Sequence, residues 1–507
     1  MKYLIGIDIG TSGTKTALFD EFGVLCGSAT VEYPLHQPQN GWAEQDPSDW
    51  WDACVKSLKE VLAKANIAAE DIAGIGFSGQ MHGLVMLGED GEVIRNSIIW
   101  CDGRTAKECD EITRLVGASR LIELTANPAL TSFTAGNILW VKNNEPDNFK
   151  RCRHILLPKD YIRYKLTGNF GMEASDASGM NMLDINTRDW SKEVLGKLGI
   201  DASMLPEVKE ACDVAGYITK EAALLTGLKE GTPVVYGGGD NMAAAIGTGV
   251  VDSGKAFITI GTSGVLFAHS DSVAVDLKGR VNTFCSAVPG AWAVFGCSLA
   301  AGLSFQWMRN NFFTQEMKEA KELGQNIYDQ MTDSASKVPI GADRLIFLPY
   351  LMGERSPILD PNARGVFFGL SAIHTKYDML RAVMEGVVYA LRQSLDVLRE
   401  LGVGFSEIYA TGGGARSPLW RQMIADVFEL PVTTIQNREG PALGAAIMAG
   451  VGTGLYPSVS EACKSIIKVN PSDVPILANS TVYADYYNLF KDLYPGMKDG
   501  FKTLSML

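Results

Sequence analysis

The sequence predicts a mixed α/β protein of two related lobes, on three observations. The segment Ile7-Asp8-Ile9-Gly10-Thr11-Ser12-Gly13 returns almost unchanged as Ile258-Thr259-Ile260-Gly261-Thr262-Ser263-Gly264, one copy heading each half of the 507-residue chain. Around each copy a β-rich run enters the Gly-Thr-Ser-Gly turn and leaves as a second apolar strand, over 16–19 and 265–268. Between and after the hairpins, short apolar strands alternate with helical periodicity, the pattern of α/β layers.

Taken in order, the first hairpin continues through Glu21-Phe22-Gly23 into a third strand. Asp46 and Pro47 suit an N-cap and a first helical position. Trp51, Val55, Leu58, Leu62 and Ala65 then recur at steps of three and four, marking an amphipathic helix. Strands are expected over 74–77 and 84–87, and a helix-rich, more polar stretch over 105–165. A strand over 233–237 runs into Gly238-Gly239-Asp240-Asn241 and an alanine-rich helix. In the second half, 344–349 and 408–411 read as strands and 377–401 as a long helix. The change of pattern near 248–254 divides the chain into lobes 1–248 and 249–507, and the lack of a linker tract predicts that they pack together.

Composition narrows the function classes. At roughly 150 residues per domain the length admits about three domains or two large ones. Apolar residues make up 46% and charged residues 20%, which excludes intrinsic disorder. A net charge of −13 argues against nucleic-acid or anionic-membrane partners, which need a basic surface. The N-terminus does not read as a signal peptide and no run of ~18 apolar residues occurs, so a cytoplasmic protein is expected. Nine scattered cysteines without a C-x-x-C pair read as reduced thiols, and five histidines without H-E-x-x-H make a zinc site improbable.

The chemistry-bearing residues cluster at glycine turns. A Gly-Thr-Ser-Gly turn after a strand offers backbone N–H groups and hydroxyls to a phosphate, although a single copy could be a plain hairpin turn. Two copies favour a nucleotide held between the lobes, with Lys15 either adding charge to the first turn or standing solvated at the surface. Asp8, embedded in apolar strand, needs a partner, and hydrated Mg2+ beside phosphates is a suitable one. Asp240 follows three glycines at a helix start, where it can cap the helix and also serve as a base that substrate can approach closely. His82 lies in the turn Ser78-Gly-Gln-Met-His-Gly83, suited to a small hydroxylated ligand. Rival motifs fail: Gly249-to-Lys255 resembles a Walker A loop but opens a strand, and Gly74-to-Gly79 matches G-x-G-x-x-G without a following helix.

These blocks resemble the FGGY carbohydrate kinases, and within them the members acting on xylulose. The resemblance spans nearly the whole chain through Asp8-to-Lys15, Ser78-to-Gly83, Trp100-to-Arg104, Gly237-to-Asn241, Ile260-to-Gly264, Gly353-to-Pro357, Asp360-to-Gly365 and Thr411-to-Ser417. It implies two ribonuclease-H-like (actin-like ATPase) domains with an interdomain active-site cleft. It further implies ATP and Mg2+ as cofactors, and D-xylulose converted to D-xylulose 5-phosphate. By the same resemblance Asp240 is the general base, Asp8 organises the Mg2+–phosphate end, and Met81, His82 and Asn241 line the sugar pocket. Thr11, Ser12, Gly13 and Lys15 match the first phosphate loop and Thr262 the second. Gly302 with Gln306, and Gly413 with Gly414, match nucleotide contacts, while Asp102 and Arg104 support the sugar site. Another ketose or polyol (L-ribulose, L-xylulose, gluconate, glycerol) is the nearest alternative, an actin-like ATPase without sugar the next. A homodimer is compatible with either.

Overall fold

In a computed structural model, which describes residues 1–437 and 439–507, each half of the chain builds one sheet on the same plan. In the first half β1 (Tyr3–Ile9), β2 (Gly13–Asp20) and β3 (Leu25–Glu32) form an antiparallel meander, followed by helix α1 (Pro47–Ala65). Strand β4 (Ile72–Gly79) returns parallel to β1 on its free side. Strand β5 (Val214–Tyr217) pairs antiparallel with β6 (Pro233–Val235), which lies parallel to β4. The two-residue β7 (Gly238–Gly239) also pairs with β4 and leads directly into α2 (Asp240–Thr248). The main path is β5-β6-β4-β1-β2-β3.

The second half repeats the plan. Strands β8 (Gly254–Ile260) and β9 (Gly264–Ser270) form the hairpin, and β10 (Asn282–Cys285) and β11 (Trp292–Ser298) extend it on the β9 side. Helices α3 (Gly302–Phe312) and α4 (Lys376–Glu400) follow. Strand β12 (Phe405–Thr411) runs parallel to β8, then come α5 (Pro418–Phe428), β13 (Val432–Thr434) and α6 (Gly440–Gly452). The order β10-β11-β9-β8-β12-β13 matches the first sheet except for its outermost strands. Central strands β1 and β8 are apolar on both faces because helices cover both.

Helix α6 shows how the halves are joined. It lies on the first sheet, although its sequence follows the second. A Cβ at Gly6 on β1 would sit 1.8 Å from the Ala442 carbonyl oxygen, and one at Gly76 on β4 would sit 2.0 Å from that of Ala445. The crossing of α2 and α6 is equally close: a Cβ at Gly444 would fall 1.9 Å from the Ala243 carbonyl oxygen. Glycine at these positions lets backbone touch backbone. One buried cluster accordingly mixes Leu4, Phe19 and Ile246 with Phe267, Leu443 and Met448. The halves pack on each other, as the missing linker predicts.

Local differences from the expected pattern have physical reasons. Helix α1 starts as read, with the Asp46 carboxylate accepting from the Ser48 N–H at 2.8 Å. Its buried stripe is Trp50, Cys54, Leu58 and Val61: Leu58 is shared with the predicted Trp51–Val55–Leu58–Leu62–Ala65 stripe, and the rest lies one step round. Gln45 accepts the Trp50 indole N–H at 3.2 Å, so that ring can be buried. The strand expected over 344–349 shortens to Ile346–Leu348, because Ala342, Asp343 and Arg344 all take left-handed φ. The strand expected over 84–87 is Val85–Leu87, paired with His154–Leu156 outside the main sheet. All nine cysteines are free thiols. Among the described residues no helix is long and apolar enough to cross a membrane.

Candidate active site

Strand register assembles the first cluster. Asp8 on β1 stands opposite Lys15 on β2 and Ser78 on β4, and Ser78 stands opposite Gly238 on β7. The Ser78 hydroxyl donates to Asp8 Oδ1 at 2.7 Å. Asp240 follows two residues later. Gly239 is the N-cap of α2 and Asp240 the first helical residue, so its carboxylate does not cap; Oδ1 accepts from the Asn241 backbone N–H at 2.7 Å and side-chain amide at 2.9 Å. The chain reaches this point through Gly237 at φ 80°, where a Cβ would lie 2.3 Å from the Phe77 carbonyl oxygen.

The two carboxylates feel each other. Burial pushes the Asp240 carboxyl up to about 7, and the Asp8 charge pushes the same way, against the Asn241 hydrogen bonds. Asp8 is raised by burial and held back by Ser78 and Lys15. Among the described residues no three His, Cys, Asp or Glu side chains converge as a metal cage. Two carboxylates fit Mg2+, which keeps much of its water and takes one or two carboxylates plus phosphate oxygens.

Met81 and His82 lie on the other side of this loop. A Cβ at Gly239 would meet Met81 Cγ at 2.8 Å, so Met81 packs directly beside the residue preceding Asp240. His82 takes φ 71° and sits 4.8 Å from the Phe133 ring and 6.0 Å from Phe284 on β10, a contribution from the second half. Its Nδ1 is 2.8 Å from the Gly179 carbonyl oxygen. A carbonyl only accepts, so Nδ1 carries the hydrogen and Nε2 is the ring's acceptor. Burial pushes its pKa down to about 3, so the ring is neutral.

A cleft of about 1280 Å³ runs from Asp240 and Asn241 past Ser263 to Gly413. It adjoins a cavity of about 260 Å³ lined by Thr262, Gly302, Gln306, Gly413 and Gly414, so these five predicted residues come together. The second turn is fastened to α3: the Gly302 N–H donates to the Gly261 carbonyl at 2.8 Å and the Leu303 N–H to that of Thr262 at 3.0 Å. A Cβ at Gly302 would approach the Gly261 carbonyl oxygen to 2.1 Å.

The remaining predicted residues have more structural surroundings. Thr11 Oγ1 accepts from the Trp100 indole at 2.8 Å, its carbonyl accepts from Gln45 at 2.7 Å, and Ser12 is exposed. Gly13 is required by the approach of β3, where the Val31 carbonyl oxygen would be 2.8 Å from a Cβ. Lys15 is partly exposed to solvent and ion-paired with Glu439, next to Gly440 in the cleft wall. Asp102 and Arg104 form a buried pair; Asp102 accepts from the Ala43 N–H at 2.5 Å, and Arg104 stacks 3.7 Å above Trp42. Sequence reading passed over Phe305, Tyr328 and Trp420 of the smaller cavity, and Phe284 beside His82. Phe305 lies between the matched Gly302 and Gln306; Tyr328, Trp420 and Phe284 belong to no quoted block, and only the fold brings them in.

Comparison with known proteins now decides the lineage. The N-terminal domain model of the FGGY family of carbohydrate kinases matches residues 3–247, and its C-terminal domain model matches 256–453. The chain belongs to the FGGY family of carbohydrate kinases. It is 38% identical to a xylulose kinase of Bacillus subtilis over 98% of both chains. The solved xyloylose kinase of Brucella ovis superposes with a TM-score of 0.90 at 34% identity, over 98% of this chain and 99% of that one. A gluconate kinase of Lactobacillus acidophilus superposes as well, at TM-score 0.92 and 29% identity over 99% of each. The FGGY chain described here is thus an ATP-dependent sugar kinase with two ribonuclease-H-like domains.

Proposed function

We propose that this FGGY kinase transfers the γ-phosphoryl group of ATP to the terminal hydroxyl of D-xylulose, giving D-xylulose 5-phosphate. The observation that carries the reading is the position of Asp240, with Met81 packed against its loop on one side and the cleft leading to Thr262 and Gly413 on the other. A carboxyl raised to about 7 accepts a proton far better than an ordinary aspartate near 3.9. Asp240 takes the hydroxyl proton, and neutral His82 offers Nε2 as acceptor to a sugar hydroxyl, with Met81 and Asn241 completing the pocket. Asp8 would hold Mg2+ through its water shell, and the ion would supply charge neutralisation to the phosphates.

The turns Thr11-Ser12-Gly13 and Thr262-Ser263-Gly264 face the phosphates from the two lobes, and the 260 Å³ cavity takes the adenosine end. With the lobes dividing at 248/249, one turn belongs to each lobe. The xylulose kinase relatives support this sugar, and the gluconate kinase neighbour defines the competitor. An ADP-release assay over D-xylulose, L-xylulose, L-ribulose, gluconate and glycerol tests it. The highest kcat/KM is expected for D-xylulose; a clear preference for gluconate or another acceptor overturns the assignment.

A further inference from the structure

Directly beneath the Gly238–Asp240 loop lies a group of buried charges that the reaction does not use. Lys159 Nζ sits 2.9 Å from Asp160 Oδ1, 3.3 Å from Glu173 Oε1 and 3.1 Å from Asp176 Oδ2. Arg163 Nη1 lies 3.0 Å from the same Asp160 oxygen. All five side chains are inaccessible to solvent. Removing charges from water costs several kcal/mol per ion, so such a group is retained for what it holds in place or not at all.

It holds the loop. Glu173 Oε2 accepts the Ser175 N–H at 2.6 Å, while Oε1 accepts the Ser175 hydroxyl and the Asp176 N–H, both at 2.9 Å. The Ser175 oxygen, its proton committed to Glu173, accepts the N–H of Gly239 at 3.2 Å. A chain of contacts therefore runs from Lys159 through Glu173 and Ser175 to the residue before Asp240. The same short helix, Ala174–Ser178, is followed by Gly179, whose carbonyl accepts from His82. It also meets the second half, where the Ser178 hydroxyl accepts the Cys285 N–H at 3.0 Å.

We infer that Ser175 is a positioning residue for phosphoryl transfer, fixing the direction of Asp240 through the Gly239 N–H, with Glu173 and Lys159 as its anchor. Three carboxylates face two cations in the group, and burial beside like charges raises Asp176 well above the usual carboxylate range. The inference rests on Asp240 being the base, so the test contains both residues.

Ser175→Ala removes the acceptor of the Gly239 N–H. Displacing a reacting group by a fraction of an ångström to 1 Å costs on the order of 10- to 100-fold in rate. The expected result is a kcat lowered by that factor, an ATP KM within about twofold of the parent, and a thermal midpoint lowered by a few degrees at most, since a buried N–H loses its partner. Introduced into Asp240→Asn, the same substitution should lower the residual single-turnover rate by less than about threefold, since residues acting through one another are not additive. Ser175→Cys keeps the volume with a weaker hydrogen bond and should fall between, which also covers a Ser175→Ala protein that fails to fold. A parental kcat in Ser175→Ala or Ser175→Cys, or the same fold loss with and without Asp240, overturns the inference. Near-parental turnover in Asp240→Asn alone instead overturns the assignment of the base.

Discussion

The two Gly-Thr-Ser-Gly hairpins occupy the same place in two sheets that share a central order, yet they differ at two informative positions. Where β1 carries Asp8, paired across to Ser78, β8 carries Thr259, whose hydroxyl lies 2.5 Å from that of Thr411 on β12. Where β2 carries Lys15, β9 carries buried Leu266. One lobe thus places charge at its strand ends and the other keeps the equivalent positions neutral. A carboxylate suits a metal ion and a reacting hydroxyl; beside a bound triphosphate with no metal between, it would only repel. The duplicated scaffold supplies two turns of one shape, and side-chain charge distinguishes them.

The charged side of this comparison breaks most completely at Asp240→Asn. Loss of a general base costs roughly 10²- to 10⁴-fold, so kcat should fall by that factor while both KM values hold, as steady-state kinetics will show. Asp8→Ala should come next, about 10²-fold down, with the requirement for Mg2+ moved to higher concentration; an unchanged Mg2+ optimum would count against its assigned part.

Acidity gives a graded version of the same test. The Asp240 carboxyl sits near 7, and once protonated it cannot accept the hydroxyl proton. The sugar kcat/KM should therefore fall about tenfold per unit below that pH, while nucleotide affinity at the neutral second turn stays flat; a flat rate profile down to pH 5 contradicts it. The smallest effect sharpens the contrast. Thr259→Asp would give the second turn the first turn's charge, and an ATP KM raised about tenfold is expected from roughly 1.4 kcal/mol of repulsion. Thr259→Val, which removes only the Thr–Thr hydrogen bond, should leave that KM within about twofold.

Much of the site was legible because it is local. The hairpin turns, Asp8 at a strand end and the glycines before Asp240 each combine a backbone requirement with a polar residue within a few positions. The five nucleotide-side residues, spread from Thr262 to Gly414, were placed by family resemblance and do meet in one cavity. What escaped is carried by contacts remote in sequence. Nothing near Lys15 indicates Glu439, and nothing near Gly6 or Gly76 indicates that helix α6 will lie on them. Ser175 is invisible for the same reason: its importance lies in an N–H supplied by Gly239. The shifted stripe of α1 shows a subtler limit, since periodicity finds a face only to within a residue when Trp50 and Trp51 compete for it.

The close crossing of α2 and α6 has an electrical side. Both helices begin at the cleft, at Asp240 and Gly440, and α3 begins at Gly302 in the adjoining cavity. Each helix start carries about half a positive elementary charge from its aligned peptide dipoles. A molecule of net charge −13 therefore turns three positive poles toward the cleft and its adjoining cavity. The sign of its surface and the sign of its interior field are set independently.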